Sequence, residues 1–584
     1  MEPDSERRQL QRLGREAAEY YRSREVPQRL EEALNTLFLL RPADLYGDLA
    51  NYFSKFSKAP VICKLVGRKV LDGVGRPTLE VEIYCINKNY EKRICSTVIS
   101  SHSQILENAL SEATEDDEKE RNDSVNTAVE WVNDSLNTML RDLKPTDQCK
   151  VDKILGEYFT KKAEEKKEIQ KEDEEEATLS LPSCVPSATA LSGGKKAATI
   201  GFKRTIPPAE PVESVLCGSL AIGGTSLAIA KAGATISRIP LYVHIALLKH
   251  DQEMTVPLPM VSLLNCGKFS PGKLKLMKEI MLIPPVQLSL KQSIERVLDI
   301  QREMMRLLEP ACKGVRQKYV SSFAIKRISH LGCLITGCDN LEQPLLLMQT
   351  ACNNIGLELG TDMYLAINCA AHELIDYLKG KYEILTGTFK SPDEMVDMYV
   401  ELINKFPSII ALVDPLRKED RQQWNNICCA LGSKCYLIAE DAATSISKLI
   451  TDQDTNLPKC SGIVLKYINQ TKVSDLIELT GLSHGEYGGK KGSPDGESSD
   501  DSLVDLAVGL GAKFIKLGGL CRGERVTKYN RLLAIEEELA KNRTLRMSFF
   551  LTLFSASLSL EILKSIHILA SLFPGEYYFQ LKPS

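Results

Sequence analysis

The sequence predicts an α/β barrel that follows a smaller unit of strands and helices and an N-terminal helical extension. The first observation behind this lies between Met254 and Leu539, where apolar strand-like runs alternate with amphipathic helices. Examples are Tyr364 to Asn368, Ile409 to Val413, Cys435 to Ile438, Gly462 to Leu465 and Lys513 to Ile515. Strands and helices alternating at this spacing build a parallel sheet, and their number suits a closed barrel. The second is the alternating stretch from Val61 to Arg93, with Asp72-Gly73 and Gly75-Arg76-Pro77 as turn chemistry. The third is the charged, helix-forming character of the first 58 residues.

The extension opens with a solvated helix over Arg7 to Arg24. After Val26-Pro27 come Leu30, Leu34, Leu37 and Phe38, until Arg41-Pro42 breaks the run. A second amphipathic helix carries Leu45, Leu49, Tyr52, Phe53 and Phe56 on one face. Two such short helices cannot bury their apolar faces alone, so they must dimerise or pack on the rest of the chain. Beyond the strands a helical section runs to about Tyr158. The run Glu164 to Glu176 and the Ser-, Pro-, Ala- and Gly-rich stretch Ser180 to Glu213 then read as a disordered insertion over about 162–213. Ser192-Gly193-Gly194-Lys195 within it lacks the spacing and hydroxyl of a phosphate loop. The boundaries expected are therefore 1–58, 59–250, 251–540 and an atypical hydrophobic tail at 541–584. In that tail Glu561, Lys564 and His567 cut the uncharged run short of the roughly 18 residues a membrane span needs.

Composition excludes several classes. The 584 residues are 43% hydrophobic and 26% charged, ordinary for a globular protein with ample chain for a core. A net charge of -4 argues against nucleic-acid and polybasic membrane surfaces. The 17 cysteines form no CxxC pairs, and the chain opens on Met1-Glu2-Pro3 without a signal peptide. Both point to a reducing compartment, with the cytoplasm as the expected address.

The segment from Asp505 to Leu510, followed by Ile515-Lys516-Leu517-Gly518, Cys521 to Arg525, Lys528 to Leu533 and Ile535 to Leu539, resembles the C-terminal signature of the enolase family. Arg68 to Val81, Ser226 to Ala234, Pro240-Leu241-Tyr242, Asp414-Pro415 with Trp424, and Leu465-Lys466 extend the likeness over roughly 61–540. Within the family it is similar to the divergent, sperm-associated vertebrate branch, which implies a flagellar or cytoskeletal setting. The resemblance implies a small α+β N-terminal domain over the barrel, a homodimer, magnesium, and dehydration of 2-phosphoglycerate to phosphoenolpyruvate in glycolysis. The N-terminal helices at 26–56 also resemble dimerisation and docking domains of the regulatory-subunit and Dpy-30 type. That likeness implies an amphipathic helix of an anchoring protein as partner; a plain helical hairpin covering the body is the alternative.

By that resemblance Lys466 is the catalytic base, Lys516 binds the substrate carboxylate, Glu279 is a substrate-side glutamate and His484 a substrate-loop histidine. The three metal carboxylates of the family fall on Asn368, Val413 and Glu440, and only the last keeps a charge. Magnesium demands oxygen ligands, so tight binding requires Asp414 or Asp441 to swing in. The acidic loop is replaced by His330-Leu331-Gly332-Cys333, with Leu331 at the acid and His330 as an alternative acid. Phe269 stands at a mobile-loop histidine, and Gly485 and Glu486 at the phosphate clamp, where Lys490 and Lys491 are possible replacements. The serine loop at Ser100 to Ser103 lacks the family's glycines. Two readings stay open: a weakly active phosphopyruvate hydratase, and an enolase-fold scaffold whose catalysis is impaired. A lyase or hydrolase built on His330 and Lys466 is a distant third.

Overall fold

The computed structural model describes residues 3–100, 111–179, 216–250, 254–308, 328–440, 458–465, 470–482, 488–492 and 497–541. Three helices open the chain: α1 (Pro3–Arg22), α2 (Val26–Leu40) and α3 (Leu45–Ser54). Helix α2 ends where Arg41 turns left-handed and its N–H bonds the Leu37 carbonyl at 2.8 Å, because Pro42 cannot continue the ladder. Asp44 caps α3 by accepting from the Gly47 N–H at 2.9 Å. Ala33 and Leu37 are buried, whereas Leu34, Phe38, Leu39 and Leu40 stay exposed.

Strands β1 (Val61–Leu71), β2 (Pro77–Asn87) and β3 (Tyr90–Ile99) form an antiparallel sheet in that order. Asp72 closes the first hairpin by accepting from the N–H groups of Val74 and Arg76. Lys88 and Asn89, both with positive φ, turn the second. The Asn133 and Asn137 side chains accept the Gly67 and Leu65 N–H groups along the outer edge of β1, so that edge is not left open. The inner face of β2 (Leu79, Val81, Ile83, Cys85) packs under the helix Leu220–Ser237. That helix is long and apolar enough to cross a membrane by composition, yet it is 72% buried inside the protein.

The helix Gln148–Leu179 corrects the expectation of disorder from about 162, since it continues through the acidic run. Glu and Lys are good helix formers, and Lys162 pairs with Glu165 at 2.7 Å. The remainder of the expected insertion, 180–213, lies outside the described residues, as do Ser192 to Lys195 and the tail at 542–584.

Among the described residues the barrel has eight strands in order: Leu258–Gly267, Ile283 back to Leu276, Tyr364–Asn368, Ile409–Val413, Tyr436–Ala439, Gly462–Leu465, Gly488–Gly492 and Phe514–Gly518, and the short strand Leu334–Ile335 pairs beside the first. The eighth pairs with the first to close it. Its sheet is not wholly parallel. The second strand, Leu276–Ile283, runs antiparallel to both neighbours. A connection as short as 268–275 makes a hairpin and cannot carry a crossover helix. The seventh strand, Gly-Gly-Lys-Lys-Gly, has poor strand propensity, which pairing on both sides overrides. Met260, Met281, Tyr364, Val413, Ile438 and Phe514 belong to the packed cluster that joins the strands. Helices following the strands start on capping boxes at Ser289/Gln292 and Ser391/Glu394.

The two domains are joined by polar bonds. Asp500 accepts the Val98 N–H, Asp152 the Ser474 N–H, and Ser226 Oγ the Val473 N–H, all within 3.0 Å. They also meet backbone to backbone where Gly509 abuts the helix Leu241–Leu248. A Cβ there would lie 2.7 Å from both Ile245 Cβ and the Tyr242 carbonyl oxygen. Gly509→Ala is therefore expected to lower unfolding free energy by about 1–3 kcal/mol, measured by chemical denaturation.

Candidate active site

The polar centre lies at the ends of four barrel strands. Glu279 sits on the second strand, in register with Asn368, the last residue of the third. Glu440 follows the fifth strand and Lys516 lies on the eighth. These four residues, singled out in the sequence, meet in one cluster. Lys516 Nζ is 2.7 Å from Glu279 Oε1 and 3.0 Å from Glu440 Oε2. Asn368 donates its amide to Glu279 Oε1 at 2.8 Å, and Ser262 donates its hydroxyl to Oε2 at 2.5 Å. Ser262 was not anticipated. A lone hydroxyl in the apolar run Leu258–Gly267 was the available signal.

Electrostatics follow from this geometry. Burial alone would raise the Glu279 pKa, but the Lys516 ammonium and the hydrogen bonds from Lys516, Ser262 and Asn368 more than offset it, holding the carboxyl down to about 2. Burial alone would lower Lys516; Glu279 and Glu440 instead raise it well above the usual lysine range. Lys516 is thus a persistent cation between two carboxylates.

The other positions at which the resemblance led one to expect metal ligands are differently occupied. Val413 is 1% exposed and packs into the barrel interior. Asp414, one of the two residues that would have to swing in for tight metal binding, adopts φ 45 and uses Oδ1 to accept the Glu440 N–H at 2.7 Å. Its Oδ2 lies 3.9 Å from His372 Nδ1. Asp414 therefore positions Glu440. Asn368 directs its nitrogen to Glu279 and its Oδ1 to the Ala370 N–H at 3.2 Å. Among the described residues no group of three His, Cys, Asp or Glu side chains could hold a metal.

The loop at the family's acid is anchored but holds no acid at that position. Leu331 is buried, its carbonyl accepting the Gly519 N–H at 2.7 Å, and Arg525 donates to the His330 carbonyl at 3.1 Å. Burial pushes the adjoining Cys333 thiol up to about 12, with the Glu279 charge contributing. Phe269 is 37% exposed beside Lys268. Lys466 and His484 lie outside the described residues, as do Asp441, Gly485, Glu486 and residues 101–103; for Lys490 and Lys491 only the strand is described.

Residues 62–169 match the family described as Enolase, N-terminal domain, and residues 253–549 match Enolase, C-terminal TIM barrel domain. The chain is 51% identical to Enolase 4 of Homo sapiens over 565 residues, covering 92% of this chain and 90% of that one. The chain belongs to the enolase family. Enolase 4 of Danio rerio is 40% identical over 90% of this chain and 91% of its own, and Cytosolic enolase 3 of Arabidopsis thaliana is 25% identical over 89% and 96%. Enolases generally use magnesium. The residues of this enolase fit it poorly: Val413 supplies no donor, Asn368 no charge, and the one remaining carboxylate, Glu440, already pairs with Lys516.

Proposed function

We propose that this protein is a divergent phosphopyruvate hydratase that converts 2-phosphoglycerate to phosphoenolpyruvate far more slowly than an ordinary enolase. The observation that carries the reading is the buried Glu279–Lys516–Glu440 cluster at the strand ends, where the family's substrate-side groups belong. Lys516 offers a fixed positive charge to the substrate carboxylate, and Lys466, beyond the strand Gly462–Leu465, takes the C2 proton. The C3–O bond breaks and the departing hydroxide takes its proton from bulk water, since Leu331, at the position expected for the family's acid, has none to give. Removing one preorganised electrostatic group commonly lowers rate by about 10² to 10³, and several are missing together.

The test is phosphoenolpyruvate absorbance with full-length protein at high concentration. Slow turnover in wild type should fall at least about tenfold in Lys466→Ala. Equal silence of the two proteins removes catalysis from the account.

One observation favours a second reading, an enolase-fold scaffold in a flagellar or cytoskeletal structure. Helix α2 exposes Leu34, Phe38, Leu39 and Leu40, an apolar surface suited to a second copy or to an anchoring helix. Deleting residues 1–58 should then abolish partner capture while the barrel stays folded; retained capture dismisses the idea.

A further inference from the structure

We infer that Lys516 is a built-in cation that stands in for a bound divalent metal, so that the barrel mouth of this protein works without one. The inference rests on reading the cleft as the enolase site and adds what holds its charge. A metal ion in a carboxylate cage does two jobs: it neutralises the acidic side chains, and it keeps a positive charge facing the substrate. Here one ammonium lies between two carboxylates, offsetting one of their two negative charges and leaving the trio at a net -1. Lys516 Nζ bridges Glu279 and Glu440 at 2.7 Å and 3.0 Å, with a longer 3.4 Å contact to the second Glu440 oxygen. All three side chains are at most 12% exposed, so water screens the pairing little.

The neighbours are consistent with a resident ammonium and inconsistent with an added cation. Asn368 turns its NH₂ edge toward Glu279, using an oxygen that a metal would compete for. Ser262 donates to the other oxygen of Glu279. Both Glu279 oxygens are thereby committed to donors. Val413 fills the third ligand position with hydrocarbon, and Asp414 is turned to the Glu440 backbone. A divalent ion seated on Glu440 would lie beside the ammonium with no added carboxylate among the described residues to offset the repulsion. Glu279 and Lys516 lie on the second and eighth strands and Glu440 directly follows the fifth, so the ammonium ties these three together across the mouth.

The test reads metal occupancy and not turnover, so its failure and that of the slow-hydratase reading are distinguishable. Manganese binding to the full-length protein is followed by electron paramagnetic resonance. Wild type and Lys516→Arg, which keeps the charge, should show no saturable binding up to about 1 mM. Lys516→Met, which releases both carboxylates, should bind at least about tenfold more tightly than wild type. Circular dichroism verifies that Lys516→Met is folded. Wild-type thermal melts provide a readout independent of that variant, and they should coincide in EDTA and in magnesium. Stoichiometric wild-type binding below about 100 µM, a magnesium-dependent rise in melting temperature, or a folded Lys516→Met without gain would each overturn the inference.

Discussion

Replacing Asp420 by alanine is expected to destabilise the barrel by about 3–5 kcal/mol. Asp420 and Arg417 are 5% and 1% exposed, and the guanidinium meets the carboxylate through two bonds, Nε to Oδ2 at 3.1 Å and Nη2 to Oδ1 at 3.0 Å. Tyr382 donates its hydroxyl to the same carboxylate and accepts the Arg417 N–H at 3.1 Å. Trp424, fully buried, donates its indole N–H to the Arg417 carbonyl at 3.1 Å. Alanine removes the carboxylate and takes both of its bonds from the buried guanidinium, and losing that buried bidentate pair is the dominant effect. Asp420→Asn keeps an acceptor oxygen and should lose less. Urea denaturation of the full chain separates the two, and a loss below about 1 kcal/mol for alanine would refute the account.

The second large effect concerns Glu279 and acid. Its pKa is about 2 in the folded protein against 4.5 for an ordinary glutamate, so the folded state binds the proton less readily than the unfolded chain. The stability this contributes is complete above about pH 4.5 and fades as pH falls from there towards 2. A shift of that size corresponds to about 3 kcal/mol. Glu279→Gln should remove that contribution at neutral pH, and its unfolding free energy should decline less than wild type between pH 5 and pH 3, by on the order of 2 kcal/mol. Parallel pH dependences in the two proteins would show that the Lys516 pairing does not hold Glu279 ionised. Lys516 acts at the other extreme: its raised pKa stabilises the fold below the ordinary lysine range and is lost only in strong alkali.

Much of the barrel was legible in the chain. Tyr364–Asn368, Ile409–Val413 and Gly462–Leu465 are strands with the bounds their apolar runs suggested, because buried barrel strands are short and continuously apolar. The fifth strand is displaced by one residue to Tyr436–Ala439, and the eighth runs on to Gly518. Gly488–Gly492 left no apolar signature and is held by its neighbours alone. In the site, Glu279, Asn368, Glu440 and Lys516 were legible one at a time through family register. Their mutual contacts were not, and neither were the supports from Ser262 and Asp414.

The sequence by itself determined most of the apolar barrel strands, the turn at Asp72-Gly73 and the break at Arg41-Pro42, and that Asn368 and Val413 stand where the resemblance expects metal carboxylates. These follow from side-chain type and from spacing over a few residues. Only the tertiary structure decided that the second strand runs backwards, that Asp414 serves the Glu440 backbone, and that Lys516 lies between two carboxylates. Lys516 and Glu440 are 76 residues apart, and Glu279 is farther still. Such pairs are set by barrel closure and by the need to neutralise buried charge, neither of which is encoded in a local window.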